Sequence, residues 1–176
     1  MNTQRIISMF LDNAHWDIFT NKALNDEVNL SIKQINEALH RLTKAGSIVK
    51  LERGKYSRHN FADENVIGSF IVKTGGIAYW TAMNFHGLTE QIPNVVYVQT
   101  TQAKKNKTIF GVRYKFIRVK EEKLTGFKTL GYGNHQFKIT DVEKTIVDCF
   151  DQPQYAGGYA EMIKAFSNAD LSAKKM

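Results

Sequence analysis

"SIKQINEALHRLTKAG", residues 31–46, is the stretch on which the reading of the whole chain turns. At 100° per residue, Ile32, Ile35, Ala38, Leu39, Leu42 and Ala45 fall within one arc, the apolar stripe of an amphipathic helix. Lys33, Gln34, Asn36, Glu37, His40, Arg41 and Lys44 fill the opposite arc. Ser31 followed three residues later by Gln34 is the capping-box pattern, in which two side chains satisfy backbone donors reciprocally. Gly46 supplies the stop. A helix needs only its apolar stripe to fold, so the outer face reports what the helix touches.

The flanking sequence supplies the context. QRIISMFLDNA (4–14) places Ile6, Ile7, Phe10, Leu11 and Ala14 at helical spacing. Ile18-Phe19 reads as a short extended piece, and Thr20 caps a second helix over 21–28 with Leu24 and Val28 inside. Asn29-Leu30 turns the chain into the third helix. SIVKLERGKYS then reads as a strand, a tight Arg53-Gly54 turn and a return strand. Helix, short strand, helix, tight turn, helix, hairpin is the order of a winged helix-turn-helix, expected over residues 1–58.

Composition sets the outer bounds. The 176 residues suffice for two small domains, and 43% hydrophobic with 23% charged residues is the balance of a soluble globular protein. No apolar run approaches bilayer-crossing length, and MNTQRIISMF lacks the basic-then-apolar order of a secretory signal. The one cysteine, Cys149, cannot form an intramolecular disulfide, so a cytoplasmic protein is expected. The net charge of +7 is unevenly placed, at +3 over residues 1–58, +6 over 59–139 and −2 over 140–176. A basic body with an acidic tail points to a polyanionic partner.

The polar stretch RHNFADE (58–64) reads as a linker, and residues 59–176 as a mixed α/β domain with a mainly antiparallel sheet flanked by helices. The fold class expected is therefore α+β. Val66, Ile67, Phe70 and Ile71 mark a helix ended by Gly75-Gly76, and Ala78 to Phe85 another. VVYVQT (95–100) is nearly continuous apolar, as a buried strand would be, and KKNK (104–107) reads as a polar loop. From 110 to 116 apolar residues alternate with Arg113 and Lys115, and the parity slips at Ile117, which predicts a β-bulge. Strands over 125–130 and 135–139 turn at GYGN; Thr140 with Glu143 suggests a capping box opening a helix through Phe150, and a last helix covers about 159–167. The basic run from Lys104 to Lys123 reads as the wet face of a sheet before it reads as a nucleic-acid surface.

Major-groove readers present the N-terminal half of such a third helix to base edges, while the wing reaches phosphate or minor groove. Lys33, Gln34, Asn36 and His40 are suitable types: Asn and Gln pair bidentately with adenine, and Lys donates to guanine. Arg41, Lys44, Arg53 and Lys55 would neutralise phosphates. Glu37 in the middle of that face counts against DNA, and a merely solvated face or a winged helix that docks protein is the alternative. Catalytic signals are poor. Asp141 and Glu143 suit a helix first turn, Asp148 matches helical repetition, and His86 sits at a helix end. Cys149 lies on an apolar helix side, the five histidines show no metal-ligand spacing, and KTGG (73–76) has the wrong order for a phosphate loop. No enzyme, no cofactor and no metal site is expected, although a nuclease or transferase using the acids near 141–148 is the reading to test against.

Three segments carry a resemblance. "INEALHRLTKAGSIVKLERGKY" (35–56), "GGIAYWTAMNFHGLTEQIP" (75–93) and "ITDVEKTIVDCFDQPQYAGGYAEMIKAF" (139–166) together resemble the AbiEi family of antitoxins from abortive-infection toxin–antitoxin operons. The last two, with His-Gly-Leu after a small-residue helix and Glu-x-Thr-x-x-Asp before Tyr-x-Gly-Gly, are the more specific. The resemblance implies a winged helix that binds operator inverted repeats in double-stranded DNA, with oligomerisation on DNA, and represses its own operon. It implies a second domain that counteracts a nucleotidyltransferase-like toxin, with or without direct contact. Lys33, Gln34, Asn36, His40 and Arg41, with Arg53 and Lys55 on the wing, are the operator contacts it implies. Relatives usually continue past the Gly-Gly helix, so a second domain shortened at its C-terminus is expected. A regulator without antitoxin activity is the remaining alternative.

Overall fold

The computed structural model describes residues 2–171, and the end of the polar tail SNADLSAKKM lies outside them. The chain divides into two compact units. The first runs to Ala62 and includes Tyr132–His135; the second is Asp63–Gly131 with the residues from Gln136 on. The protein is α+β, and no helix among the described residues is long and apolar enough to cross a membrane.

In the first unit, α1 (Thr3–Asn13), β1 (Ile18–Thr20), α2 (Asn21–Glu27), α3 (Ile32–Lys44), β2 (Ile48–Glu52) and β3 (Lys55–Arg58) follow in order. The strands form an antiparallel sheet in the order β1-β3-β2. Each helix opens on a side chain that accepts from the exposed backbone. Asn2 accepts from Gln4 N, Thr20 Oγ1 from Ala23 N, and Ser31 Oγ from Gln34 N. In return, Gln34 Oε1 accepts from Ser31 N at 2.9 Å, which completes the capping box. Ser31→Ala removes the hydroxyl acceptor and should lower stability by about 1 kcal/mol. The check is a lower urea midpoint with an unchanged denaturant slope.

The apolar stripe of α3 buries Ile35, Ala38, Leu39 and Leu42 against Ile7 and Leu11 of α1 and Leu24 of α2. The two ends of the predicted stripe behave differently. Ile32, the first residue of α3, is 49% exposed, and Ala45, its C-cap, is exposed.

The second unit holds α4 (Glu64–Ile71), β4 (Gly76–Ile77), α5 (Tyr79–Phe85), β5 (Val95–Thr100), β6 (Lys107–Ile109), β7 (Val112–Arg118), β8 (Phe127–Leu130), β9 (Phe137–Thr140), α6 (Val142–Asp151) and α7 (Tyr159–Asn168). The six strands form one sheet in the order β6-β7-β5-β4-β9-β8. It is mixed: β5/β7 and β4/β9 pair in parallel, and the other neighbours are antiparallel.

Four expectations need correcting here. β5 and β7 stay in unbroken register from Val95↔Arg113 to Thr100↔Arg118, so there is no bulge at Ile117. The parity slip arises because both sheet faces are covered: Tyr114 meets α4 at Gly68, while Ile117 and Val119 join Tyr79, Ile146 and Met162 on the other face. Gly75-Gly76 does not stop the preceding helix, which ends at Ile71 with Val72 as its C-cap; Gly76 instead begins β4, which is too short for any periodicity to reveal. Part of KKNK and the alternating stretch after it form a hairpin, β6–β7, that turns at Phe110-Gly111. The cap of α6 is Asp141, accepting from Lys144 N at 2.9 Å, because Thr140 is still in β9 with its hydroxyl against Thr145 Oγ1 at 2.7 Å.

Candidate nucleic-acid interface

The capping box fixes where α3 begins, and the buried positions Ile35, Ala38, Leu39 and Leu42 fix its rotation. Lys33, Gln34, Asn36, Glu37, His40, Arg41 and Lys44 are then all exposed. Arg41 and Lys44 stand in the last turn, where the partial negative charge of the helix C-terminus favours cations. The β2–β3 hairpin turns through Arg53 and Gly54, with Glu52 opposite Lys55 and a register shift that accommodates buried Leu51. Gly54 has φ +75°, the left-handed conformation this tight turn requires. Arg53 at the tip is exposed, whereas Lys55 is half-buried with its ammonium 3.7 Å from Glu52.

Two amides on the face already have work. Gln34 has committed its oxygen to the cap, accepting from Ser31 N and Ser31 Oγ, both at 2.9 Å. Bidentate adenine pairing needs that oxygen, so reading a base through Gln34 would mean opening the capping box. Asn36 Oδ1 accepts from Asn21 Nδ2 at 3.2 Å. Asn21 is the position that the sequence reading missed. Its backbone N–H also donates to Gly54 O at 3.0 Å, so one residue ties the hairpin turn to the outer face of α3. As the first residue of an ordinary capped helix it carried no signal of that role.

Between α3 and the hairpin lies a cleft of about 380 Å³, lined by Asn21, Asn36, His40, Lys50, Arg53 and Tyr56 among others. Tyr56, buried in the lining, is stacked on Phe19 at 5.9 Å between ring centroids, and burial raises its phenol pKa. The rim is thus cationic and amide-bearing, with hydrogen-bond donors on both sides. Such a surface can hold phosphates on its cations and present amide and imidazole edges to bases.

No protein-family profile and no curated protein matches this chain.

Two acids of α6, Glu143 and Asp148, are buried. Asp148 is only 3% exposed; it pairs with Lys144 and accepts from Gln99 Nε2 at 3.2 Å. Gln99 Nε2 lies 3.1 Å from Tyr79 Oη as well. Burial pushes the Asp148 carboxyl above its ordinary pKa, against the opposing pull of Lys144. Glu143 and Thr145 of the same Glu-x-Thr-x-x-Asp pattern are buried too, and Thr145 Oγ1 donates to Asp141 O at 2.6 Å. These polar positions tie α6 to the sheet beneath it. Cys149 is fully buried, its thiol 3.2 Å from Met83 Sδ, and desolvation pushes its pKa up to about 12. His86 is the C-cap of α5, its backbone N–H donating to Ala82 O at 2.9 Å, while its imidazole Nε2 reaches Thr140 O in β9 at 2.7 Å. Among the described residues, no group of three or more His, Cys, Asp or Glu is placed to hold a metal ion.

Proposed function

We propose that this chain is a DNA-binding transcriptional regulator of the AbiEi antitoxin type, with its first unit acting as a winged helix-turn-helix. The observation that carries the reading is the solvent-facing cationic and amide flank of α3 beside the exposed Arg53 turn. The element order of the first unit, three helices closed by a hairpin, agrees with it. In this reading α3 enters the major groove of an operator. Lys33, Asn36 and His40 face base edges, Arg41 and Lys44 neutralise phosphates, and Arg53 and Lys55 contact the backbone from the wing. Repression is steric, with copies on inverted repeats excluding polymerase, and the protein works in the cytoplasm. The antitoxin half rests on the segments 75–93 and 139–166. Its partner would be a nucleotidyltransferase-like toxin, opposed with or without contact.

Replacing Arg41 and Lys44 together by Ala should weaken binding to every sequence. It should also reduce the slope of log K against log salt by about one for each phosphate that is no longer neutralised. Asn36→Ala should instead relax sequence preference, at about 1–3 kcal/mol for the correct site. Gel shifts with the DNA upstream of the gene are the decisive measurement, and no binding at moderate salt would end the regulator reading. Growth rescue on co-expression with an adjacent toxin tests the other half. One observation favours protein docking on the same face: Ile32 presents half its surface at the start of α3. Ile32→Ser should leave DNA affinity nearly unchanged if the groove reading holds.

A further inference from the structure

The β6–β7 hairpin of the second unit carries a concentration of charge that an operator-reading α3 leaves unused. Seven lysines and arginines stand between residues 104 and 120, with no aspartate or glutamate among them. Lys105 and Arg113 are exposed, and neither pairs with a carboxylate among the described residues. Ile109 lies opposite Val112, so the chain reverses over Phe110 and Gly111 alone, and both have positive φ, +49° and +79°.

A two-residue turn of this hand is ordinarily built from Asn, Asp or Gly, because a Cβ in the left-handed conformation crowds the next carbonyl. Phenylalanine is a poor choice for the turn itself. Nor is its ring well buried in compensation, since Phe110 is 39% exposed. Lysines along an edge strand are a common defence against strand-to-strand association, but that defence does not require an aromatic tip. Behind the tip, Arg113 and Lys115 share one face of β7, and Lys115 Nζ stands 4.7 Å from the centre of the Tyr155 ring. A partly exposed aromatic residue at the turn, with cations on the strand that follows it, suits one class of polyanion. In single-stranded nucleic acid the phosphates follow the cations, and any unpaired base can stack on the ring. A duplex keeps its bases stacked inside, and a polyanion without bases has nothing for Phe110.

We propose that the β6–β7 hairpin is a binding site for single-stranded nucleic acid, with Phe110 stacking on a base and Lys105, Arg113 and Lys115 following the backbone. The site is independent of the operator face, and the two are separable by mutation. The test is fluorescence anisotropy of the full chain with labelled 15-nucleotide oligo(dT) and oligo(U), beside a duplex of equal length and heparin. Phe110→Asn suits the turn better than the native residue, so its thermal midpoint should be unchanged or higher. Its affinity for the single strands should nonetheless fall about tenfold. Its duplex affinity should stay as it was. Lys105→Glu with Arg113→Glu should weaken single-strand binding and flatten its salt dependence. Arg41→Ala with Lys44→Ala should spare it. Undiminished single-strand binding by Phe110→Asn, or heparin bound as tightly as oligo(U), would overturn the proposal.

Discussion

Lys144→Met is expected to destabilise the chain by about 3–5 kcal/mol at neutral pH, because it leaves Asp148 ionised and buried without its cation. Asp148 is covered by the sheet and α5, and its remaining partner is the Gln99 amide at 3.2 Å. The pH dependence has a definite sign. Burial already holds the carboxyl above its ordinary value even with Lys144 in place, and removing the ammonium raises it further. Between the unfolded value of about 3.9 and that raised folded value, the native state binds more protons than the unfolded state. Stability of the variant therefore falls as pH rises through this window. The deficit is full above the folded pKa, and relief is complete below the unfolded one. Urea titrations of both proteins across pH 4–8 would show the difference widening with pH. A pH-independent difference would mean that lost packing, and not the stranded charge, is responsible. Lys144→Met with Asp148→Leu should recover much of the loss, since an apolar pair of similar volume avoids burying either charge.

Gly75→Ala is expected to be as damaging, at about 3 kcal/mol or more, by a purely steric route. A Cβ built at Gly75 would lie 1.9 Å from Gln99 O, a backbone atom of β5 that cannot rotate away. The position also has φ +88°, where an L side chain is strained whatever the space. Overpacking alone commonly costs about 1–3 kcal/mol, and the backbone strain adds to it. Gly87→Ala is the control. It shares the left-handed backbone at φ +69°, but its Cβ would meet nothing within 4 Å, so it should cost only the strain. Thermal midpoints of the two variants would separate crowding from conformation, and equal losses would refute the steric account.

Local patterns made the first unit legible. Ser31 and Gln34 locate the start of α3 to the residue, and the spacing of Ile35, Ala38, Leu39 and Leu42 sets which side faces water. Both signals are carried within one or two helical turns, so a single sequence contains them. The second unit was legible in its helices and in β5, β8 and β9, but β4 and β6 were not. β4 is a two-residue strand held by neighbours on both sides, and β6 is held by β7; neither has a period of its own. The bulge expected at Ile117 failed for a related reason. A strand covered on both faces loses the alternation from which parity is read.

The residues of the candidate interface were nameable in advance because exposure follows from helix rotation. Their mutual engagement was not. Asn21, fifteen positions before Asn36, reaches it only because Gly54 O and the start of α2 are brought together by the sheet. Gln34 shows the same limit from the other side, since the capping pattern was evident but not that it would occupy the amide proposed to read a base.

By itself, then, the amino-acid order determined the α+β class, the capped ends of α3 and the polar character of its outer flank. These depend on propensity, capping and hydrophobic period, all of which act over a few residues. Only the tertiary structure decided that Lys144 pairs with the buried Asp148, that Gly75 lies against the carbonyl of Gln99, and that Phe110 stands at a hairpin tip. Each of those depends on groups far apart in sequence meeting in space, and their energies exist only once the chain has closed the loops between them.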